Sequence, residues 1–196
     1  MLLALQMHAE ADCKDCAALA FKENKNQWDS RILYETELHN GTIFLCKTKL
    51  TFALLDSGDM NRMRRSHYPH MYNDHLDMTI HGHVFMENFL NTSADCKIAG
   101  DGKLKEYFNY YIGKDPKHWA SGVGGFYHVI YQGIYKNINL DVTSVDVNPK
   151  YNFVIKPGGN SDDIAISYDG LDKIALVNGD LILKTSIGEV TDSKPY

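Results

Sequence analysis

One histidine-rich segment is the only constellation in the sequence that could carry metal chemistry. Neutral imidazole and carboxylate groups are ligands that zinc and similar metals prefer. His81 and His83 are two residues apart, so on a strand both side chains would point to the same face, where His75 could join them. The full series comprises His67, His70, His75, His81 and His83, with Asp74, Asp77 and Glu87 nearby.

The competing interpretation is a polar loop. Residues 56–78 are rich in charge and lack an apolar pattern, which predicts a solvated, His-rich loop. A metal site needs ligands held in a fixed shell, and most of these histidines fall where no regular structure is predicted. No H-E-x-x-H framework accompanies them. We therefore favour a loop whose charge responds to pH, and keep a metal-binding module through His75, His81 and His83 as an alternative.

Patterns for other kinds of catalysis are missing from the sequence. There is no G-x-S-x-G motif, and Ser121, Ser161 and Ser167 have no positioned base that the sequence identifies. The glycines at 122, 124 and 125 precede a predicted strand and do not open a helix, so they do not form a phosphate-binding helix N-terminus. Cys13 and Cys16 form a C-x-x-C without the second pair that structural zinc sites need. We predict that the chain is not an enzyme and uses no cofactor.

Aromatic side chains are the second candidate for a binding site. Ring faces pack well against the C–H surfaces of sugars, and aromatic residues also anchor protein partners. We predict a ligand-binding surface for an extracellular glycan or protein that consists of Trp28, Tyr110, Tyr111 and Trp119. Packing in the core is the competing explanation, because exposure is not encoded in the residue type.

Charge and hydropathy exclude two classes of partner. The 20 Lys and Arg residues against 25 Asp and Glu residues give a net charge of -5, so the chain lacks the basic character that nucleic-acid binding requires. The apolar start, residues 1–7, is far shorter than the roughly 20 residues of a membrane-spanning helix. We interpret residues 1–20 as the remnant of a leader or a disordered N-terminus.

From residue 31 onward, the sequence is typical of an all-β protein. Short runs of β-branched and aromatic residues are separated by Gly, Asn, Asp and Pro. Asn40 and Gly41 lie between two such runs and predict a hairpin with a type I′ turn, and Asn178 and Gly179 predict another. Strands this numerous must cover their apolar faces. We predict an antiparallel β-sandwich over residues 21–196, either as one domain or as two packed β halves.

The spacing of several motifs resembles a known but uncharacterised family. Residues 21–28, FKENKNQW, resemble the F-x-E-N-x-G-Q-W opening of a domain found at the N-terminus of large bacterial surface proteins, commonly ahead of SBBP-type β-propeller repeats. Asn26 stands where that family usually has glycine. Similar motifs follow in the same order at residues 83–85, 109–119, 131–135, 151–158, 164–170 and 179–181.

This resemblance implies a role outside the cytoplasm. Members of the family are exported proteins of Bacteroidota and their relatives, with downstream propeller-like repeats and immunoglobulin-like modules, and often a C-terminal sorting or gliding-motility-associated segment. No catalytic residues carry over. The family usually continues beyond a pair such as Pro195 and Tyr196, so we expect the last strands to be missing from this chain. The expected function is a non-catalytic structural or adhesion-type module of an exported cell-surface protein, with the downstream repeats as partners.

Overall fold

The fold is built almost entirely from strands. The structure is a computed structural model that describes residues 2–8, 18–66 and 79–195. The strands are Leu2–His8 (β1), Phe21–Glu23 (β2), Ile32–Leu38 (β3), Gly41–Cys46 (β4), Lys49–Leu55 (β5), Gly82–Phe89 (β6), Lys97–Tyr110 (β7), Ala120–Tyr135 (β8), Ile138–Val145 (β9), Asn148–Ile155 (β10), Ile166–Asp169 (β11), Lys173–Val177 (β12), Asp180–Thr185 (β13) and Gly188–Ser193 (β14). The helices are Ser57–Ser66 (α1) and two short 3₁₀ turns, Pro116–His118 and Ser161–Asp163.

All the strand pairs are antiparallel and belong to one hydrogen-bonded sheet. The strand order is β11-β6-β5-β4-β3-β2-β8-β9-β10-β1-β14-β13-β12, and β7 pairs with β8 outside this path. Most neighbours are consecutive in the chain, as expected where short turns connect antiparallel strands. The all-β, antiparallel prediction is confirmed.

The sheet curls so that its two halves pack against each other. The ring of Phe89 on β6 lies 6.2 Å from the ring of Tyr131 on β8 and 6.4 Å from that of Phe153 on β10, although these strands are far apart in the strand order. The right-handed twist of strands makes such curling possible in a long sheet. The sandwich predicted from the sequence is therefore made by one continuous sheet and not by two separate ones.

The core follows the two-residue period of the strands. Along β5, Leu50, Phe52 and Leu54 are buried, whereas the residues between them are partly exposed. Phe52 stacks on Phe85 of β6 with ring centroids 4.6 Å apart. Burying one such ring stabilises a fold by roughly 1.5 to 3 kcal/mol. The hydroxyl of Tyr131, which is fully buried, donates to the carbonyl oxygen of Cys46 at 2.9 Å, so the polar end of this core ring is satisfied.

The N-terminus differs from the sequence-based prediction. Residues Leu2–His8, which we assigned to a leader remnant or a disordered start, form β1 between β10 and β14. Leu2 pairs with Val154 on one side, and His8 pairs with Thr191 on the other. β1 pairs with β10 and β14 through main-chain hydrogen bonds, which strands with unpaired backbone groups readily form. Main-chain pairing depends little on residue type, so the sequence of residues 2–8 does not reveal it. For residues 2–8, the prediction of disorder is corrected.

The loop predicted at residues 56–78 contains a helix. The carboxylate of Asp56 accepts a hydrogen bond from the backbone N–H of Asp59 at 2.8 Å, which caps the N-terminus of α1. Asp59 lies in the first turn and Arg64 and Arg65 lie in the last, so these charges also complement the helix dipole. The loop prediction overlooked this capping pattern. No helix in the described part of the chain is long and apolar enough to span a membrane.

Both predicted hairpins form, but with different turns. Asn178 and Gly179 have φ angles of 54° and 96°, as the predicted type I′ turn requires. In the first hairpin neither Asn40 nor Gly41 has a positive φ, so the predicted turn type is wrong there. Gly41 is needed for another reason, because a Cβ atom at this position would lie 2.3 Å from the carbonyl oxygen of Ala53 on β5.

Replacing Gly41 by alanine should therefore weaken the fold. The new methyl group meets main-chain atoms of β5, which cannot turn aside, so we expect the free energy of unfolding to fall by about 2 to 3 kcal/mol in urea denaturation. The matched control is Thr42→Ala at the next residue, which is partly exposed and should cost about 1 kcal/mol or less. Equal stability of Gly41→Ala and the wild type would contradict the close approach of β4 and β5.

Candidate functional site

A long hairpin, formed by β7 and β8, carries five of the exposed large apolar side chains of the described chain. Strand β7 pairs only with β8 among the described residues, and every residue of the connecting segment, 111–119, is exposed. The pairing of β7 with β8 shifts register between Lys103 and Tyr107 and again between Phe108 and Tyr110. Such bulges bend and twist a strand, which re-aims its side chains. We call the surface formed by residues 24–28 and 107–122 the hairpin end.

Two exposed rings form a fixed pair at the hairpin end. Tyr111 is 60 % exposed and Trp119 is 42 % exposed, and their ring centroids lie 5.9 Å apart at an interplanar angle of 86°. The hydroxyl groups of Tyr111 and Ser121 are hydrogen-bonded at 2.6 Å, and the indole Nε1–H of Trp119 donates to the carbonyl oxygen of Gly113 at 3.3 Å. These bonds hold both rings in place before any ligand arrives, so binding would order few additional side-chain torsions.

A second ring pair supports the first. Trp28 and Tyr110 are half-buried, and their ring centroids lie 5.3 Å apart at 70°. The side-chain amide of Asn24 donates to the carbonyl oxygens of Trp28, Asp29 and Ile32, which holds the Trp28 loop in shape. The four aromatic residues predicted from the sequence thus lie in two contacting pairs, one exposed and one half-buried.

The loop that carries Trp28 is tied to the hairpin itself. The side-chain amide of Asn26 donates to the carbonyl oxygen of Lys117 at 3.2 Å. The ammonium group of Lys25 donates to the carbonyl oxygen of Gly122 at 2.7 Å. Asn26 has a φ of 88°, a conformation that glycine adopts at lower cost. Its side chain makes the contact with Lys117 that a glycine could not make. These bonds join the two parts of the chain that carry the ring pairs.

Two exposed residues of the hairpin end, Tyr107 and Ile112, are not among the four aromatic residues predicted to bind a ligand. Ile112 is 76 % exposed and directly follows Tyr111 in the sequence. A usable signal was present, because Gly113, Asp115 and Pro116 mark a turn, and residues beside a turn are usually exposed.

The histidines predicted as metal ligands are engaged in separate contacts. The Nδ1 atom of His81 lies 2.8 Å from the carboxylate of Asp59, which also contacts Arg62. Hydrogen bonds from the backbone N–H and then the side chain of His81 lower the pKa of Asp59. His75 lies outside the described residues. Within residues 18–66 and 79–195, no three His, Cys, Asp or Glu side chains are placed to hold a metal ion.

His83 lies beside a serine, which raises the question of a nucleophile and its base. Its Nε2 atom is 2.7 Å from the carbonyl oxygen of Gly170, so this nitrogen must carry the proton and donate it. Its Nδ1 atom therefore accepts, both from the hydroxyl of Ser186 at 2.9 Å and from the backbone N–H of the same residue at 3.2 Å. This arrangement ties the turn before β14 to β6 and to Gly170, which directly follows β11.

The comparison with known families covers almost the whole chain. A family model matches residues 21–196, which include the hairpin end and every strand except β1. The chain belongs to the family described as domain of unknown function DUF7948. No curated protein and no solved structure matches it.

Two carboxylates are buried where the curled sheet of this DUF7948 domain closes. Glu87 on β6 is 0 % exposed and Asp192 on β14 is 1 % exposed. One oxygen of Asp192 accepts hydrogen bonds from the hydroxyls of Tyr151 at 3.0 Å and Tyr168 at 3.3 Å. Its other oxygen and both oxygens of Glu87 have no partner in the described chain. Both groups are therefore part of the buried core of the described chain.

Burial keeps this carboxylate pair protonated at pH values where carboxyl groups are usually ionised. Removal from water raises the pKa of Asp192 to about 6, although the two tyrosine hydroxyls oppose this shift. Burial, and then the negative charge of Asp192, raise the pKa of Glu87 well above its usual range. Asp180 on β13 adds a further negative charge that raises the pKa of Asp192. Two buried carboxylates without a cation are tolerated when protons neutralise them.

The DUF7948 domain should therefore lose stability as the pH rises. Asp192 ionises near 3.8 in the unfolded chain and near 6 in the folded one, so the folded state binds the extra proton between these values. The free energy of unfolding then falls between about pH 4 and about pH 6, by on the order of 3 kcal/mol, and stays lower above that range. Asp192→Asn should remove this part of the slope in urea denaturation followed by tryptophan fluorescence.

The control for this measurement is Asp101→Asn, at an exposed position of β7, which should keep the wild-type slope. Other acids also contribute to the pH dependence of stability, and the lowered pKa of Asp59 makes the fold more stable as the pH rises. These contributions are the same in the wild type and the variants, so they cancel in the comparison. A pH slope of Asp192→Asn identical to that of the wild type would show that the pKa of Asp192 is not raised in the folded state.

Proposed function

We propose that this chain is a non-catalytic, adhesion-type module of an exported cell-surface protein, and that it binds an extracellular glycan or protein with its hairpin end. The observation that carries the binding part is the fixed pair of exposed rings, Tyr111 and Trp119, together with the exposed Ile112 in the same segment of the chain. Exposing several large apolar side chains in one place gives no stability to the fold, and such patches mark interaction sites.

The geometry of the ring pair favours a sugar as the ligand. In an edge-to-face pair, the exposed ring face and the neighbouring ring form a corner, into which the C–H face of one sugar ring fits. Ser121, whose hydroxyl is bonded to that of Tyr111, and Asn109, whose side-chain oxygen accepts from the backbone N–H of Gly122, are exposed polar residues of the hairpin end that suit the polar edge of a sugar. Carbohydrate binding is thus the specific form of the proposal, and a protein ligand is the second candidate because Ile112 adds apolar area.

The surface location is supported by the motif resemblance. The motifs from residue 21 to the C-terminal region resemble an uncharacterised domain of exported proteins in which repeat domains follow, and the DUF7948 match covers the same residues. We propose those downstream repeats as structural partners of the module. The hairpin end would then face away from the repeats, since a ligand-binding surface has to stay accessible.

Removing the exposed rings should weaken binding strongly. We expect the purified chain to bind members of a glycan array, and Tyr111→Ala combined with Trp119→Ala to reduce the signal at least tenfold, as loss of a binding hot spot does. The control is Tyr127→Ala. Tyr127 is an exposed tyrosine on β8, eight residues after Trp119, and it lies outside the hairpin end. Glycan binding that survives the double substitution, or is lost equally in Tyr127→Ala, would contradict the proposed surface.

The proposed location can be tested on cells that make the protein naturally. Protease treatment of intact cells should release peptides from the exposed segment 111–119, because this part of the chain is accessible in the folded module. Lysed cells provide the control for the protease, and a cytoplasmic enzyme provides the control for leakage. Recovery of the protein only from the cytoplasmic fraction would overturn the export part of the proposal.

A further inference from the structure

We infer that the hairpin end recognises an acidic polysaccharide, in which sugar rings pack against Tyr111 and Trp119 and sugar carboxylates meet the lysines around them. This inference rests on the proposed function and specifies its ligand class. Three observations carry it: the local charge, the absence of partners for that charge, and the position of the lysines in the ring-bearing loop.

The local charge of the hairpin is opposite to that of the chain. Residues 103–119 contain the four lysines Lys103, Lys105, Lys114 and Lys117 and two acids, Glu106 and Asp115, a net charge of +2 with histidine neutral. The whole chain has a net charge of -5. Positive charge therefore collects along this hairpin, with Lys114 and Lys117 in the hairpin end and Lys103 and Lys105 before it on β7. A positive surface on an acidic protein attracts anionic ligands.

The lysines are not neutralised by the protein itself. No salt bridge joins any of these four side chains to an acid within the described residues. All four are exposed. Asp115, one of the two acids nearby, already accepts a hydrogen bond from the backbone N–H of Lys117 at 3.0 Å, which caps the 3₁₀ turn. The ammonium groups are therefore free to meet carboxylates of a ligand.

Two of the lysines belong to the same loop as the exposed indole. Lys114 follows Gly113, whose carbonyl oxygen accepts the hydrogen bond of the Trp119 indole. Lys117 lies within the 3₁₀ turn directly before Trp119, and its carbonyl oxygen is bound by Asn26. The backbone that carries both lysines is thus held by the bonds that orient the ring. A ligand that carries an apolar ring face and an anionic group within one unit would contact both features.

Among polyanions, a polysaccharide fits best. A nucleic acid places a phosphate about every 1.7 Å along its duplex axis, and binding requires the neutralisation of several phosphates, for which a net charge of +2 is small. An acidic peptide would pair with the lysines but offers no rigid C–H face to the rings. A uronic acid unit presents a ring face and one carboxylate together, which matches one aromatic corner beside a few point charges.

The test uses polygalacturonate, which carries one carboxylate per sugar, and its methyl-esterified form, in which the same backbone is uncharged. We expect the chain to bind polygalacturonate in affinity electrophoresis or calorimetry and to bind the ester at least threefold more weakly. Lys114→Gln combined with Lys117→Gln should weaken polygalacturonate binding by roughly threefold or more, because each exposed ion pair contributes modestly. NaCl at about 1 M should have a similar effect, since charges are then screened beyond about 3 Å.

Matched variants and probes separate the possible outcomes. Lys173→Gln combined with Lys184→Gln removes two exposed lysines from β12 and β13 and should leave the affinity unchanged. Equal binding of the ester and the acid, or of neutral glycans alone, would overturn the acidic ligand and leave the proposed glycan-binding function intact. Equal or tighter binding of poly-glutamate or of single-stranded DNA would overturn the polysaccharide assignment. No binding of any glycan would overturn both proposals.

Discussion

The structure depends on one constraint: a single hydrogen-bonded sheet has to cover its own apolar face. No layer of helices lies over this face in the described chain, so the sheet curls until β6 packs against β8 and β10. Phe89 makes this contact with Tyr131 and Phe153. Closure brings Tyr168 on β11 and Asp192 on β14, near opposite ends of the strand order, to within 3.3 Å. The same closure removes Glu87 and Asp192 from water, which raises the pKa of both carboxyl groups.

Strand β8 links this core to the candidate binding surface. Val129, Tyr131 and Ile134 are buried in its second half, where it pairs with β9. Its first half pairs with β2 and β7 and begins next to Trp119. A ring pair that continues from a strand anchored in the core is held more precisely than one on an isolated loop. The stability of the core and the geometry of the hairpin end are therefore coupled through one strand.

Much of the fold could be read from local patterns. The alternation of apolar and polar residues and the Asn178-Gly179 turn predicted antiparallel strands and a hairpin that the structure contains, because both depend on residues that are neighbours in the chain. For the first hairpin the predicted turn type is wrong. Gly41 is required there by its close contact with β5, and this strand is not part of the turn. The helix α1 was missed although its capping residue, Asp56, was visible in the sequence.

The sequence by itself determined the fold class and the four aromatic residues of the candidate site, because residue type and turn chemistry are local properties. Only the tertiary structure decided which rings are exposed, with Tyr111 and Trp119 at the surface and Tyr131 in the core, since exposure depends on what the curled sheet covers. The tertiary structure also separated His81 from His83 by giving each its own partner. Contacts between segments far apart in the chain decide such pairings, and no local pattern records them.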